Sequence, residues 1–266
     1  MQGNGLITLL TDFGLSDPYV GVMKGAIASI DPALRVIDLT HQIAPQNIVA
    51  ARFALASAIA YFPIGTVHVV VVDPGVGSRR RAIAIACKGA FFVGPDNGVF
   101  DGILDRADPA IAVVELTDSH YWRTPNPSTT FHGRDIFAPV GAHLARGVPF
   151  SDLGTAIAPE TLVRSDLPAC QIGPTQLSGC IQYVDRFGNL ISNIPGDAVG
   201  ERSWVLSFGD RQIPSGQTYA DVGSNEAIAL VGSHGWVELA VNGANARDRF
   251  GLDVGARVDL ILDFRF

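Results

Sequence analysis

Chemically capable side chains recur in this sequence beside glycine or proline, where the chain turns and backbone can come close to a ligand. Asp12 lies in Thr11-Asp12-Phe13-Gly14, directly after the apolar run Leu6–Leu10. A carboxylate at the end of a strand can accept two hydrogen bonds from a vicinal diol such as ribose; it can equally cap a turn. Asp73 opens Asp73-Pro74-Gly75-Val76-Gly77-Ser78-Arg79-Arg80. Its glycines resemble a phosphate loop, but no GxxxxGK[ST] follows, and Asp73 also suits a plain turn. His132 stands in Thr130-Phe131-His132-Gly133-Arg134-Asp135, where a lone histidine is commonly structural. Asp185-Arg186-Phe187-Gly188-Asn189-Leu190 reads by itself as a strand–turn–strand unit with Phe187 packed inside. Ser233-His234-Gly235-Trp236 precedes Asn242-Gly243, a hairpin-turn signal that needs no function. The six histidines show neither HxH nor HExxH spacing, so no catalytic metal is expected.

The chain that must position these groups has 266 residues, 47% hydrophobic and 17% charged. That length and balance give a globular protein with a sizeable core. The formal net charge of -7 argues against a partner such as nucleic acid or an anionic membrane, which would need a basic face. Arg79-Arg80-Arg81 is the one basic cluster and reads as a solvated strand start. Three cysteines without a CxxC pair give no zinc knuckle or redox motif and suit a reducing compartment. No signal-peptide pattern and no run of about 20 apolar residues is evident, so a cytoplasmic location is expected.

The first half alternates strand and helix signals. Leu6–Leu10, Arg35–Leu39 and Val67–Val72 read as strands; Val20 to Ile30 and Ile48 to Tyr61 read as helices. This order predicts parallel βαβ units, a Rossmann-like α/β domain with a largely parallel sheet, over residues 1–165. In such a sheet the loops after the strands carry the ligand site, which places Asp12 and Asp73 there. A linker with Pro168 and Pro174 follows. Short strands at Gly179–Val184, Leu190–Ile194, Trp204–Phe208, Ile228–Leu230, Trp236–Ala240 and Val258–Leu262, without helical periods, predict a small all-β barrel over 175–266.

Taken in order, TDFG, VxVVDPGVGSxRR, GPDNGVF, TFHGRDIFAP, DRFGNLxSNI and SxGxxELAxNGxxA resemble the S-adenosyl-L-methionine (SAM) hydroxide adenosyltransferases, relatives of the fluorinases and chlorinases. The resemblance runs from about Ile7 to Leu262. It implies an N-terminal α/β domain and a C-terminal β-barrel. It also implies a homotrimer in which one chain's N-terminal domain and a neighbour's C-terminal domain share SAM. The implied reaction is displacement at the ribose 5′ carbon of SAM, giving adenosine and L-methionine, with SAM as substrate and no cofactor. Carried over position by position, Asp73, Arg80 and His132 are the water-activating set, and Asp12 holds the ribose diol. Phe187 and Asn189 match adenine-site positions, Tyr219 an aromatic near the base, and Asp17, Asp185 and Ser233 match positions for the methionine head.

The chain departs from the halogenases in ways that bear on its reaction. They carry Tyr where this chain has Asp73, Ser where it has Gly133, and an added loop where it runs directly from Cys87 to Phe92. They also have Trp near Gln46 and Arg at His234, which leaves the partner of the methionine carboxylate open. An anion at Asp73 should repel a halide, which argues against a halogenase. A non-catalytic SAM- or adenosine-binding protein would not need the Asp73, Arg80 and His132 set.

Overall fold

The computed structural model describes residues 2–87, 89–104 and 112–263. The chain divides into two compact units, residues 1–165 and 166–266. In the first, the strands are β1 (Leu6–Thr11), β2 (Arg35–Thr40), β3 (Thr66–Val71), β4 (Ala82–Cys87), β5 (Ala90–Pro95), β6 (Ala112–Glu115) and β7 (Thr155–Ile157). The helices are α1 (Tyr19–Ile30), α2 (Ile48–Ala58), α3 (Asp101–Leu104) and α4 (Ala138–Ala145). The sheet order is β2-β1-β3-β5-β4-β6-β7.

Half of this sheet follows the sequence expectation. β2, β1, β3 and β5 are parallel neighbours. β4, β6 and β7 are antiparallel to their neighbours, so the sheet is mixed and not largely parallel. The physical reason is the connection between β4 and β5. Cys87 pairs with Ala90, which leaves two residues between the strands, and a parallel crossover needs about a dozen.

The elements form for local reasons. Every residue of β1 and β3 is buried, as in strands covered on both faces. Helix α1 turns Val20, Met23 and Ile27 onto that sheet, and Asn47 caps α2 by accepting the Ala50 amide at 2.9 Å. Helix α4 lies so close to the sheet that a Cβ at Gly141 would stand 2.5 Å from Cγ2 of Val69. Met23, Val69, Val71, Phe91, Phe137 and Val140 lie at the centre of this core.

The second unit contains β8 (Gln171–Ile172), β9 (Gln176–Val184), β10 (Leu190–Pro195), β11 (Trp204–Phe208), β12 (Arg211–Pro214), β13 (Ala227–Val231), β14 (Trp236–Val241) and β15 (Arg257–Leu262). Its order is β12-β11-β15-β9-β10-β14-β13, with β8 on β9 and antiparallel pairing between neighbours. A bridge between Ser215 and Ala229 brings the two ends of this path together, so the sheet is nearly a barrel. Leu177, Ile181, Leu190, Leu206, Leu239 and Leu260 fill it. A short α-helix, α5 (Ala246–Phe250), interrupts the strands. Its five residues are too few to show a helical period in sequence; the Asn245 cap on the Asp248 amide and Gly251 at φ 64° bound it.

Candidate active site

Because β1 and β3 are parallel neighbours with Thr11 beside Val71, the loops that follow them emerge together. Asp12 and Asp73 therefore stand at one edge of the sheet, as expected for its ligand-binding end. They line a cavity of about 390 Å³ with Phe13, Tyr19, Gln46, Phe131, His132 and Gly133 among others. Gln46 is a non-glycine residue in the left-handed region, φ 66°. That conformation turns its amide onto Oδ2 of Asp12 at 2.7 Å, so backbone strain sits where a carboxylate is being oriented.

Arg80 reaches Asp73 from the start of β4. Its Nε donates to Oδ1 at 3.0 Å and its Nη2 to Oδ2, a bidentate pair. The same Nη2 meets Nδ1 of His132 at 3.1 Å. The Asp73 and Arg80 side chains are only 5% and 6% exposed. Burial raises the Asp73 carboxyl above its ordinary value; Arg80 and His132 oppose the rise, and Asp12 adds to it. A guanidinium cannot accept a hydrogen bond, so Nδ1 of His132 must be the acceptor and the neutral ring carries its proton on Nε2. Burial and then Arg80 lower His132 below its ordinary value, against the pull of Asp73 and Asp135, which keeps the ring in that neutral form.

His132 precedes a turn of π-helix, Gly133–Phe137, that runs into α4. Asp135 secures this segment. Its fully buried carboxylate accepts Nε of Arg123 at 2.6 Å, Nε and Nη2 of Arg134 at 2.7 Å each, and the Ser128 amide at 2.9 Å. Burial would raise this carboxyl, but those bonds outweigh it and hold Asp135 well below the usual carboxylate range. A Cβ at Gly133 would meet Sδ of Met23 at 3.2 Å and Cγ1 of Val71 at 3.3 Å, so a serine there requires its neighbours to yield.

A second cavity, about 800 Å³, lies in the C-terminal unit. Asp185, Phe187, Asn189, Tyr219, Ser233, His234 and Glu238 are among its lining residues. Asp185 shapes the β9–β10 turn: Oδ1 accepts the Phe187 and Asn189 amides at 2.9 Å each, and Oδ2 accepts Nδ2 of Asn189 at 3.0 Å. Gly188 at φ 84° allows the turn, and a Cβ there would fall 2.1 Å from Oδ1 of Asn245. Phe187 is not packed inside as its motif alone predicts. Bonding of Asp185 to two amides turns the ring outward, 77% exposed.

The residues singled out from sequence thus fall into two groups. Asp12, Asp73 and His132 line the first cavity, with Arg80 bonded to two of them. Asp185, Phe187, Asn189, Tyr219 and Ser233 line the second. Asp17 joins neither lining; it is exposed in the loop before α1. The basic cluster is a solvated strand start only at Arg79, which is exposed; the Arg80 side chain is buried, and Arg81 donates to Asp96 and Thr161. Glu238 was not singled out, although it lies inside the SxGxxELAxNGxxA pattern. Among the described residues no group of three or more His, Cys, Asp or Glu could hold a metal ion, and no helix is long and apolar enough to cross a membrane.

Two family profiles match the chain: the SAM hydroxide adenosyltransferase N-terminal domain over residues 7–154 and the C-terminal domain over 179–259. The chain is 39% identical to an (R)-S-adenosyl-L-methionine hydrolase of Salinispora tropica, covering 95% of this chain and 96% of that one. A protein of the same name from Thermus thermophilus is also 39% identical, covering 96% and 99%. A fluorinase of an Actinoplanes species is more distant, at 26% identity over 97% of each chain. A crystal structure of an uncharacterized conserved protein from Thermotoga maritima superposes with a TM-score of 0.87 at 33% identity, covering 96% of this chain and 99% of that one.

Proposed function

The chain belongs to the SAM hydroxide adenosyltransferase family, and from that membership and the two cavities we propose how it hydrolyses S-adenosyl-L-methionine to adenosine and L-methionine. Water attacks the ribose 5′ carbon opposite the sulfur. The new C–O bond forms as the C–S bond breaks, and the bonding pair returns to sulfur, so methionine leaves as a neutral thioether. No acid is needed to protonate it. The demanding part is the nucleophile, because water is weak and hydroxide scarce at neutral pH.

The observation that carries this reading is Asp73 and His132 in one cavity with Asp12, both bonded to Arg80. Asp73 takes the water proton. Burial raises its affinity for that proton, while bidentate Arg80 keeps it ionised before the step. His132 gives its Nδ1 lone pair to Arg80, so it orients the water through Nε2–H and is not the base. Charge is lost as a hydroxide-like oxygen meets a sulfonium, an attraction that strengthens away from bulk water. Fixing oxygen, carbon and sulfur in line supplies about 7 kcal/mol in a favourable case.

Asp12 is assigned the ribose diol, Phe187, Asn189 and Tyr219 the adenine, and Asp17, Asp185 and Ser233 the methionine head. The protein is proposed to be cytoplasmic and to work as a homotrimer, with one SAM served by the N-terminal cavity of one chain and the C-terminal cavity of a neighbour. Light scattering at assay concentration tests this; a fully active monomer would disprove it. No metal or cofactor is assigned a part, so turnover should survive a chelator.

The deciding experiment incubates the pure protein with SAM in ¹⁸O-water and follows the products by chromatography and mass spectrometry. Adenosine labelled at the 5′ hydroxyl, with an equal amount of methionine, is expected. Unlabelled adenosine would rule out attack by water at carbon.

A further inference from the structure

The C-terminal cavity holds a buried carboxylate to which the reaction above gives no role. Glu238, on β14, lines the cavity yet is only 3% exposed. Its Oε1 accepts the Tyr219 hydroxyl at 2.5 Å, and its Oε2 meets Nε2 of His234 at 2.9 Å. The other ring nitrogen of His234, Nδ1, accepts the Trp236 amide at 3.1 Å. An amide N–H can only donate, so Nδ1 carries a lone pair and the neutral ring has its proton on Nε2. An ionised carboxylate can only accept, so that proton is directed at Glu238. The two contacts select one tautomer. Gly232 leaves room for them: a Cβ there would stand 2.5 Å from Nε2 of His234 and 2.6 Å from Oε2 of Glu238.

We propose that Glu238 is a positioning residue of the substrate site, locking Tyr219 and His234 together as one wall of the C-terminal cavity. Its effect is on specificity as well as order. With one nitrogen of His234 on the Trp236 amide and the other on Glu238, the ring offers no N–H to a substrate carboxylate. The methionine carboxylate therefore takes its donor from elsewhere, and Ser233, the preceding residue on the same cavity wall, is placed to supply it. The inference rests on the hydrolase reading, because it supposes that this cavity receives part of SAM.

Two measurements test it. The first uses the wild-type protein: the imidazole ¹⁵N shifts of His234, read by long-range ¹H–¹⁵N NMR at neutral pH, should report the Nε2–H tautomer. The Nδ1–H form would overturn the lock whatever the activity. The second uses Glu238→Gln. A glutamine has one accepting and one donating end, so it cannot receive both the Tyr219 hydroxyl and the His234 N–H. SAM affinity by calorimetry should fall about 10- to 100-fold, the cost of a mismatched charged hydrogen bond. The single-turnover rate at saturating SAM should stay within about threefold, as for a group that acts in binding. In a Tyr219→Phe background only one donor remains, so the added effect of Glu238→Gln should shrink. Unchanged affinity, a rate loss without an affinity loss, or fully additive effects would each overturn the proposal. Wild-type protein that released no adenosine from SAM would sink the hydrolase reading and the affinity claim with it, and the tautomer would still judge the lock.

Discussion

The N-terminal cavity sets two carboxylates beside each other and leaves the control of charge to one arginine. The C-terminal cavity is instead walled by exposed aromatic rings and by a turn whose polar groups bond mainly to one another. Asp73 is buried, bonded twice by Arg80, and raised by its surroundings. Asp185 spends its oxygens on the amides and side chain of its own loop. Reactive chemistry needs a group whose proton affinity is shifted; recognition needs surfaces held still. The difference assigns rate to the first cavity and grip to the second, and each assignment can be broken separately.

The largest effect should come from Asp73→Asn. Asparagine keeps the shape but cannot take a proton, so single-turnover rate should fall by about 100- to 10,000-fold, the range for losing a general base. SAM binding by calorimetry should stay near wild type. Near-normal turnover would remove Asp73 from its role; lost affinity with an unchanged rate at saturation would move it into the binding shell.

Asp12→Asn should behave in the opposite sense although it lies in the same cavity. The Gln46 amide already donates to Asp12 at 2.7 Å, so the asparagine oxygen is drawn to that amide and its NH₂ is turned to the diol. The NH₂ can donate to the hydroxyl oxygens, but the two hydroxyls lose the charged acceptor for their own protons, so affinity should fall about 10- to 100-fold, with a smaller loss of rate from misalignment. A rate loss as large as that of Asp73→Asn, at wild-type affinity, would contradict the diol assignment.

The acid limb of the pH–rate profile sharpens the role of Asp73. The carboxylate must be ionised to accept a proton, and burial raises its pKa above the ordinary value. Turnover is therefore complete above that raised pKa and is lost as pH falls through it. His132, shifted downward by burial and Arg80, gains its proton at a lower pH than an ordinary imidazole. The limb should lie above the ordinary carboxylate value of about 3.9, and single-turnover rates across a pH series should find it there. A rate constant flat down to about pH 4 would show that Asp73 is not the titrating base.

What was legible in the sequence follows from how local its cause is. Asp12 and Asp73 could be placed together because each follows an apolar run, and such runs alternating with helical patterns form one parallel sheet whose loops share an edge. The antiparallel half of the N-terminal sheet escaped notice because the helix described among Ala82–Cys87, Ala90–Pro95 and Ala112–Glu115 is the four-residue α3, too short to show a helical period, and pairing direction depends on the brevity of one hairpin. The outward Phe187 was missed because hydrophobic character says nothing about which way Asp185 turns the loop. Glu238 was missed for a related reason: a charged residue on an otherwise apolar strand acquires meaning only once Tyr219 and His234, 19 and 4 residues away, are seen to close on it.

The smallest effect expected is also the one that tests the grip of the second cavity most directly. Phe187 is 77% exposed in the isolated chain, so truncating it removes little packing. Phe187→Ala should change stability by no more than about 0.5 kcal/mol, as surface substitutions usually do. A side chain kept so exposed has no folding role that would account for its size. Its proposed partner is the flat face of adenine, and stacking of a base on an aromatic ring is worth at least about 1 kcal/mol. SAM affinity should therefore fall about fivefold or more at unchanged melting temperature, and the rate at saturating SAM should hold. The pattern is the reverse of Asp73→Asn: binding lost, chemistry kept. Should Phe187→Ala melt several degrees lower while binding SAM normally, the ring would be covered by protein in the working assembly and the adenine assignment would pass to Tyr219 and Asn189.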